Sequence, residues 1–358
     1  FDRNSPPWIR VEGLDRVARA SEQGRFVVRH LPRFSSTITG ALSLHLLTHR
    51  ANFLVADTVH VFDDGVATVL QASEIHTSVG FIEDSLVVRS ILDANGRFDI
   101  RAASIISLDP RTHRVTTVRL NGLGLDTLPG EIGNLTSLLE LYLDSNALSS
   151  LPPELAACTN VQTVSLEKNG FTTFPMVLCQ LRELRSLSIA ENGIHSIPPE
   201  IGELDSLRYF FAQLNLLDSI PPSLFHLPAL DLVTFAANRI ASIPEEVTRC
   251  VSLRKLVVSD NLVTSLPSNI GNLQLMRELL VEKNLIDSLP QSIGTLPWLI
   301  SFNASYNNLK TIPVSFANLA YLSFLDVSGN RICDSLDSGL SSYLDSRQPG
   351  WDALQVCQ

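Results

Sequence analysis

The side chains of this chain that could do chemistry fall into columns. Read at intervals of 23 residues, Arg185, Arg208, Asp231, Arg254 and Arg277 make one column, and Tyr142, Phe211, Val257 and Leu280 belong to another. Tyr209 and Leu232 sit one residue after Arg208 and Asp231. Guanidinium groups bind carboxylates through a planar fork and stack on rings. Aromatic side chains beside arginine concentrate binding energy at protein interfaces, so these columns read as recognition chemistry. The alternative is internal pairing, with the arginines held by Asp231, Glu278 or Glu282 across neighbouring strands. Turnover chemistry is not written in the chain, which has no G-x-S-x-G, H-E-x-x-H, C-x-x-C or G-x-x-x-x-G-K-[ST]. Gly122-Leu-Gly124 lacks a third glycine, and His45 and His49, although spaced i, i+4, have no third ligand nearby. Asp63-Asp64 and Glu83-Asp84 read as solvated turns rather than a catalytic pair. The expectation is a protein that is not an enzyme and holds no metal or cofactor.

Two further sets carry covalent possibilities. Asn134-Leu-Thr136 and Asn303-Ala-Ser305 match the N-glycosylation sequon, whereas Asn4-Ser5-Pro6 does not. Five cysteines leave at least one thiol unpaired. Cys333 and Cys357 bracket the last stretch of the chain and are the candidate pair. A bond there would contribute about 3 kcal/mol on the chain-entropy model, and two free thiols in a reducing compartment are the alternative. Cys158 and Cys250 take a core position, while Cys179, two places earlier in its own register, is expected to be more exposed.

A strict repeat positions these columns. From Val115 the anchor residue recurs every 23 positions: Val115, Leu138, Val161, Leu184, Leu207, Leu230, Leu253, Met276, Leu299, Leu322. The unit reads L-x-x-L-x-L-x-x-N-x-L-x-S-[LI]-P-x-x-[IL]-x-x-L-x-x, as in the copy from Leu184 to Leu204. Positions 1, 4 and 6 are apolar and alternate with positions 3, 5 and 7, which is strand periodicity with one buried face. Position 9 is Asn in nine consecutive units, Asn146 to Asn330, with Leu123 there in the first. A buried amide both donates and accepts, so it can satisfy backbone groups at a turn. A hydroxyl column from Thr127 to Thr311 precedes the proline step that sets the return path.

This pattern resembles the leucine-rich-repeat family over residues 115 to about 335. Its 23-residue LPxxIxxL form is similar to that of Ras-pathway scaffolds, animal LAP-type scaffolds and some plant and protist members. The resemblance implies an α/β solenoid, a right-handed horseshoe with a parallel β-sheet on its concave face and an internal asparagine ladder. It also implies a ligand on the concave face, where positions 2, 3, 5, 7 and 8 point outward. Cysteine-bounded C-terminal caps are usual for its extracellular members.

Three segments follow. Residues 333–358 are expected to form a C-terminal cap after a solenoid over 115–332. Residues 1–114 lie outside the register and match no recognised family. There, short helices are expected over Asp15 to Gln23 and Ser36 to Arg50, then β-branched runs between the turns Asp63-Asp64-Gly65, Asp93-Ala-Asn-Gly96 and Asp109-Pro110. The expectation is a small β-rich domain packed on the first repeat as its cap. Without the cysteine pair of many receptor caps, it departs from those receptors.

Composition agrees with this division. Leucine numbers 11 in residues 1–114 and 46 beyond, and the first segment has 13 Arg against 13 acidic residues, so the net charge of −10 belongs to residues 115–358. That acidity excludes a nucleic-acid partner, which needs a basic surface. No apolar run approaches the ~20 residues of a membrane span, and the chain opens Phe1-Asp2-Arg3-Asn4, as a processed chain would. The expected function is recognition of a protein or peptide in an extracellular or cell-surface setting, around repeats 4–8. The expected site is Tyr142, Arg185, Arg208, Tyr209, Phe211, Leu232, Arg254, Val257, Arg277 and Leu280. The alternatives are a structural component that self-associates through its N-terminal domain, and a cytoplasmic scaffold of the Ras-pathway or LAP type.

Overall fold

The computed structural model describes five strands among residues 8–71, then residues 79–100, 102–333 and 336–357. They divide into two compact units, residues 1–104 with 108–115 and residues 105–107 with 116–358.

In the first unit, β1 (Trp8–Val11) pairs antiparallel with both β2 (Arg16–Arg19) and β3 (Leu44–Leu47). A second antiparallel pair joins β4 (Thr58–Asp63) to β5 (Val66–Gln71), with Asp63 opposite Val66. The helices expected over Asp15 to Gln23 and Ser36 to Arg50 are corrected here, because β2 and β3 occupy parts of those stretches. A helix of nine residues is marginal by itself, whereas the Trp-Ile-Arg-Val run of β1 offers a partner suited to pairing. His45 therefore lies on a strand. His49, Asp64 and Gly65 are outside the described residues.

The segment Val79–Ala94, expected to continue the β pattern, is a helix, α1. Its buried residues Asp84, Val87, Val88, Ile91 and Leu92 recur at helical spacing. Asp84, read from sequence as part of a solvated turn, is 1% exposed. Its carboxylate accepts from Arg114 Nε and Nη2 and from the Val115 amide, each at 2.8 Å. This distant fork is what permits the burial. Arg89 is buried on the same principle, donating to Asp93 and to the carbonyls of Arg97 and Ile100. Gly96 then ends the helix at φ +67°, with the Arg97 amide returning to the Leu92 carbonyl at 2.8 Å.

In the second unit, β6 (Ile106–Leu108) is followed by one strand per repeat. These are β7 (Val115–Arg119), β8 (Glu140–Tyr142), β9 (Thr163–Ser165), β10 (Ser186–Ser188) and β11 (Tyr209–Phe211). They continue as β12 (Leu232–Thr234), β13 (Lys255–Val257), β14 (Glu278–Leu280), β15 (Ser301–Asn303) and β16 (Phe324–Asp326). All lie in chain order in one open sheet of 11 strands, with β7 to β16 parallel. The solenoid expected from the period is thus present. Each return path turns through a short 3-10 segment after its proline, as at Pro199–Glu203 after Pro198. Positions 1, 4 and 6 fill the core, from Val115, Val118 and Leu120 to Leu322, Leu325 and Val327.

The asparagine ladder closes the seam between repeats. Asn261 Nδ2 donates to Phe235 O at 2.9 Å in the preceding repeat and to Val258 O at 3.1 Å in its own, while Oδ1 accepts from the Ile240 amide at 2.9 Å. The same bonds recur from Asn146 to Asn330. The residue before each ladder position is left-handed, which the sequence pattern did not signal. Gly122 and Gly329 hold this place at the ends, while Ser145, Lys168, Glu191, Leu214, Ala237, Asp260, Lys283 and Tyr306 hold it between, at φ +51° to +56°. Such a conformation costs a non-glycine residue roughly 1–2 kcal/mol, and the ladder amide, bonded to both flanking sides of the turn, holds it in place.

Cys179 corrects another expectation, being 4% exposed. It stands at position 19, where consecutive return turns touch. At the same position a methyl group on Gly294 would lie 2.0 Å from the Ser315 carbonyl oxygen. Burial pushes the Cys158 thiol up to about 11, the Cys179 thiol up to about 12, and the Cys250 thiol upward as well, so all three stay protonated and unreactive.

After β16 a disulfide joins Cys333 to Cys357, and α2 (Ser338–Arg347) starts on Asp337, whose carboxylate accepts from the Gly339 and Leu340 amides. Backbone groups of the last repeat find partners here. The Val327 amide donates to Gln348 Oε1 at 2.9 Å, the Gly329 amide to Leu354 O at 2.8 Å, and Asn330 O accepts from Val356 at 2.7 Å.

Candidate ligand-binding face

Every short strand turns its middle residue inward and its two outer residues to the open face, because strand side chains alternate. In register, this gives one outward column Tyr209, Leu232, Lys255, Glu278 and a second Phe211, Thr234, Val257, Leu280. The residue before each strand adds the column Arg185, Arg208, Asp231, Arg254, Arg277.

The centre of the face is a charge network on an apolar strip. Asp231, with its side chain 15% exposed, receives Arg208 Nη2 at 3.2 Å and Arg254 Nη1 at 2.8 Å on the same oxygen. Arg208 also lies over the Tyr209 ring, 5.4 Å from its centroid. Lys255 and Glu278 pair at 2.7 Å. Phe211, Leu232, Val257 and Leu280 are half-buried, and Tyr209 is exposed. Arg185 and Arg277 are exposed at opposite ends of the column, and neither guanidinium has a carboxylate partner among the described residues. The internal pairing weighed from sequence thus holds for the inner two arginines and not for the outer two.

Tyr142 stands apart from this group. Arg119 lies over its ring at 5.7 Å, and the serine positions Ser165 and Ser188 separate it in register from Phe211. Around it the face is acidic. Asp144 accepts from the Ser165 hydroxyl and, at 2.9 Å, from the Glu167 amide. Burial first, then the neighbouring Asp144 and Glu191, raise the Glu167 carboxyl above its ordinary range.

The sequons differ in setting. Asn134 and Thr136 are exposed at the end of a return turn. Asn303 is half-buried on β15, where its Oδ1 accepts from the Ser305 amide at 3.0 Å and hydroxyl at 2.8 Å, and Ser305 is 3% exposed.

A second apolar surface escaped the sequence reading. Leu275, Trp298 and Tyr321 form an exposed column at the last position of the repeat, with Trp298 stacked on Tyr321 at 5.1 Å, and Ile300 and Phe324 are exposed nearby in sequence. Reading position 23 vertically, as positions 2, 3 and 5 were read, would have found it. Among the described residues, no group of three or more His, Cys, Asp or Glu is placed to hold a metal, and no helix is long and apolar enough to cross a membrane.

The geometry defines a class: a repeat solenoid whose open parallel sheet offers a broad, rigid face to a partner. Residues 274–332 match the family model described as leucine rich repeat. Among solved structures, the chain is similar to the ectodomain of the plant membrane receptor kinase GASSHO1/SCHENGEN3 from Arabidopsis thaliana in complex with CASPARIAN STRIP INTEGRITY FACTOR 2 (26% identity, TM-score 0.63, 72% of this chain and 34% of that one). It is also similar to the plant peptide hormone receptor RGFR1 in complex with RGF2 (28% identity, TM-score 0.53, 63% of this chain and 42% of that one). The fold is shared as well with InlJ of Listeria monocytogenes (24% identity, TM-score 0.55, 63% and 42% of the two chains). The chain therefore spans less than half the length of each. No curated protein sequence matches it. Residues 274–332 thus carry the leucine-rich repeat, and the solenoid around them has the fold of these leucine-rich-repeat structures.

Proposed function

We propose that the chain is an extracellular recognition module that binds a protein or peptide on the open sheet face of repeats 4–8. The observation that carries this reading is the central patch: half-buried Phe211, Leu232, Val257 and Leu280 beside exposed Tyr209, bordered by arginines of which two have no carboxylate partner among the described residues. Exposed apolar side chains framed by arginine are what interface centres use. The similarity to receptor ectodomains solved with CASPARIAN STRIP INTEGRITY FACTOR 2 and RGF2 supports a peptide-sized partner. The Cys333–Cys357 bond supports an oxidising compartment, and exposed Asn134 is available as a glycan acceptor there.

The test is selection of a displayed random peptide library on the intact protein, followed by affinity measurements on Phe211→Asp and Arg254→Glu variants checked for native circular dichroism. The reading expects both to weaken selected peptides at least tenfold. Unchanged affinity in both would move the site off this face. Intact mass with and without a reductant and a deglycosidase tests the compartment when the protein is taken from its own source. Five titratable thiols and no glycan would exclude an extracellular setting.

A further inference from the structure

Arg185 and Arg277, without a carboxylate partner among the described residues, set a ruler. In the column Arg185, Arg208, Asp231, Arg254, Arg277, the inner three residues neutralise one another in part, whereas the outer two present free charge at an exposed surface. Four strand steps separate Arg185 from Arg277, and at about 4.8 Å per step the span is about 19 Å. Lying between them on the same face are Tyr209, Phe211, Leu232 and Val257, with Leu280 on the strand that follows Arg277. An extended peptide crossing the strands advances about 3.3 Å per residue, so it covers that span in about six residues. Residues i and i+6 of such a peptide face the same side, as do i+2 and i+4.

We infer that the ligand is an extended peptide segment with acidic groups at i and i+6, one on Arg185 and one on Arg277, and apolar side chains between them on the sheet. Charge complementarity fixes the class. A basic or neutral ligand would leave both guanidiniums without a partner, and six residues coiled as a helix would advance only about 9 Å and reach only one. The inference rests on the sheet-face reading proposed above and adds the spacing and sign of the ligand.

The probe is a displayed library of random twelve-residue peptides, selected on the intact protein in low salt. The expected outcome is enrichment of an acidic pair separated by five residues with apolar residues between. Arg185→Ala and Arg277→Ala should each weaken synthetic versions of the selected peptides by about fivefold or more, and replacing the matching acidic residue by Gln should abolish the effect of the corresponding arginine variant. Enriched peptides without that spacing, or peptides indifferent to both arginine variants, overturn the ruler. If those same peptides still lose binding with Phe211→Asp, the sheet-face reading survives without it. If they are indifferent to Phe211→Asp as well, or if nothing enriches, both fall.

Discussion

Two surfaces of the same strands obey opposite rules. On the seam between repeats, position 9 is Asn in nine consecutive units and makes the same bonds each time. On the open face, one column runs Arg119, Tyr142, Ser165, Ser188, Phe211, Thr234, Val257, Leu280 with no residue type favoured. The backbone is nearly identical at every step, so this difference is not dictated by the fold. Uniformity marks what each coil needs to close, and variety marks what is free to serve a partner. A repeat protein thus supplies its own internal alignment, in which invariant columns report stability and variable ones report recognition.

The largest expected effect tests the seam. Asn261→Ala leaves the buried Ile240 amide without its acceptor and removes one of two donors from each of the Phe235, Val258 and Ser259 carbonyls, which keep Asn238 Nδ2, Asn284 Nδ2 and the Ala237 amide. At about 1–3 kcal/mol for the stranded amide and about 0.5–1 kcal/mol for each bond the carbonyls lose, the loss should be about 3–5 kcal/mol in urea denaturation. Thr234→Ala, on the open face, should change stability by less than about 0.5 kcal/mol. Similar losses at both sites would erase the contrast. Next in size is the disulfide between Cys333 and Cys357. Reduction should lower stability by about 3 kcal/mol on the chain-entropy model, with hydrogen exchange rising first around β16 and α2. Exchange rising uniformly along the array would show that this end is not a separate weak point.

The same contrast explains what was legible beforehand. The solenoid, its register and its core could be read because a period of 23 repeats one physical problem ten times. Residues 1–114 contain no such repetition. Short segments there, such as Leu44–Leu47, took their form from a partner strand distant in sequence, and Asp84 took its burial from Arg114. Cys179 was misread because its burial arises between coils, at position 19, rather than along the strand. On the face, outward placement of Arg208, Tyr209, Phe211 and Arg254 followed from period-2 alternation, but which arginines pair did not. That depends on one acidic residue, Asp231, lying between two of them.

A smaller effect sharpens the comparison at that residue. Asp231→Ala breaks both ion pairs, and because the arginine side chains are 48% and 44% exposed, stability should change by less than about 1 kcal/mol. Binding should respond the other way. With Arg208 and Arg254 released, acidic peptides should bind more tightly and with a steeper loss on adding salt. Lower affinity together with a large loss of stability would place Asp231 with the seam rather than with the face.

The smallest effect concerns Glu167, on the acidic stretch of the face beside Tyr142. Its carboxyl is raised by burial, then by Asp144 and Glu191. A folded state that holds its proton more tightly than the unfolded chain gains stability as pH falls and loses it as pH rises through the raised value. The charged form is therefore the unfavourable one at neutral pH. Glu167→Gln should raise the melting temperature slightly at pH 7, and the difference from the parent should close as pH falls to the ordinary carboxylate range. A gain that persists unchanged in acid would mean that the Gln side chain adds contacts rather than removing a charge. A loss at pH 7 would mean that Glu167, despite its variable position, contributes to holding the coil, and the line between the two surfaces would then have to be redrawn through position 7.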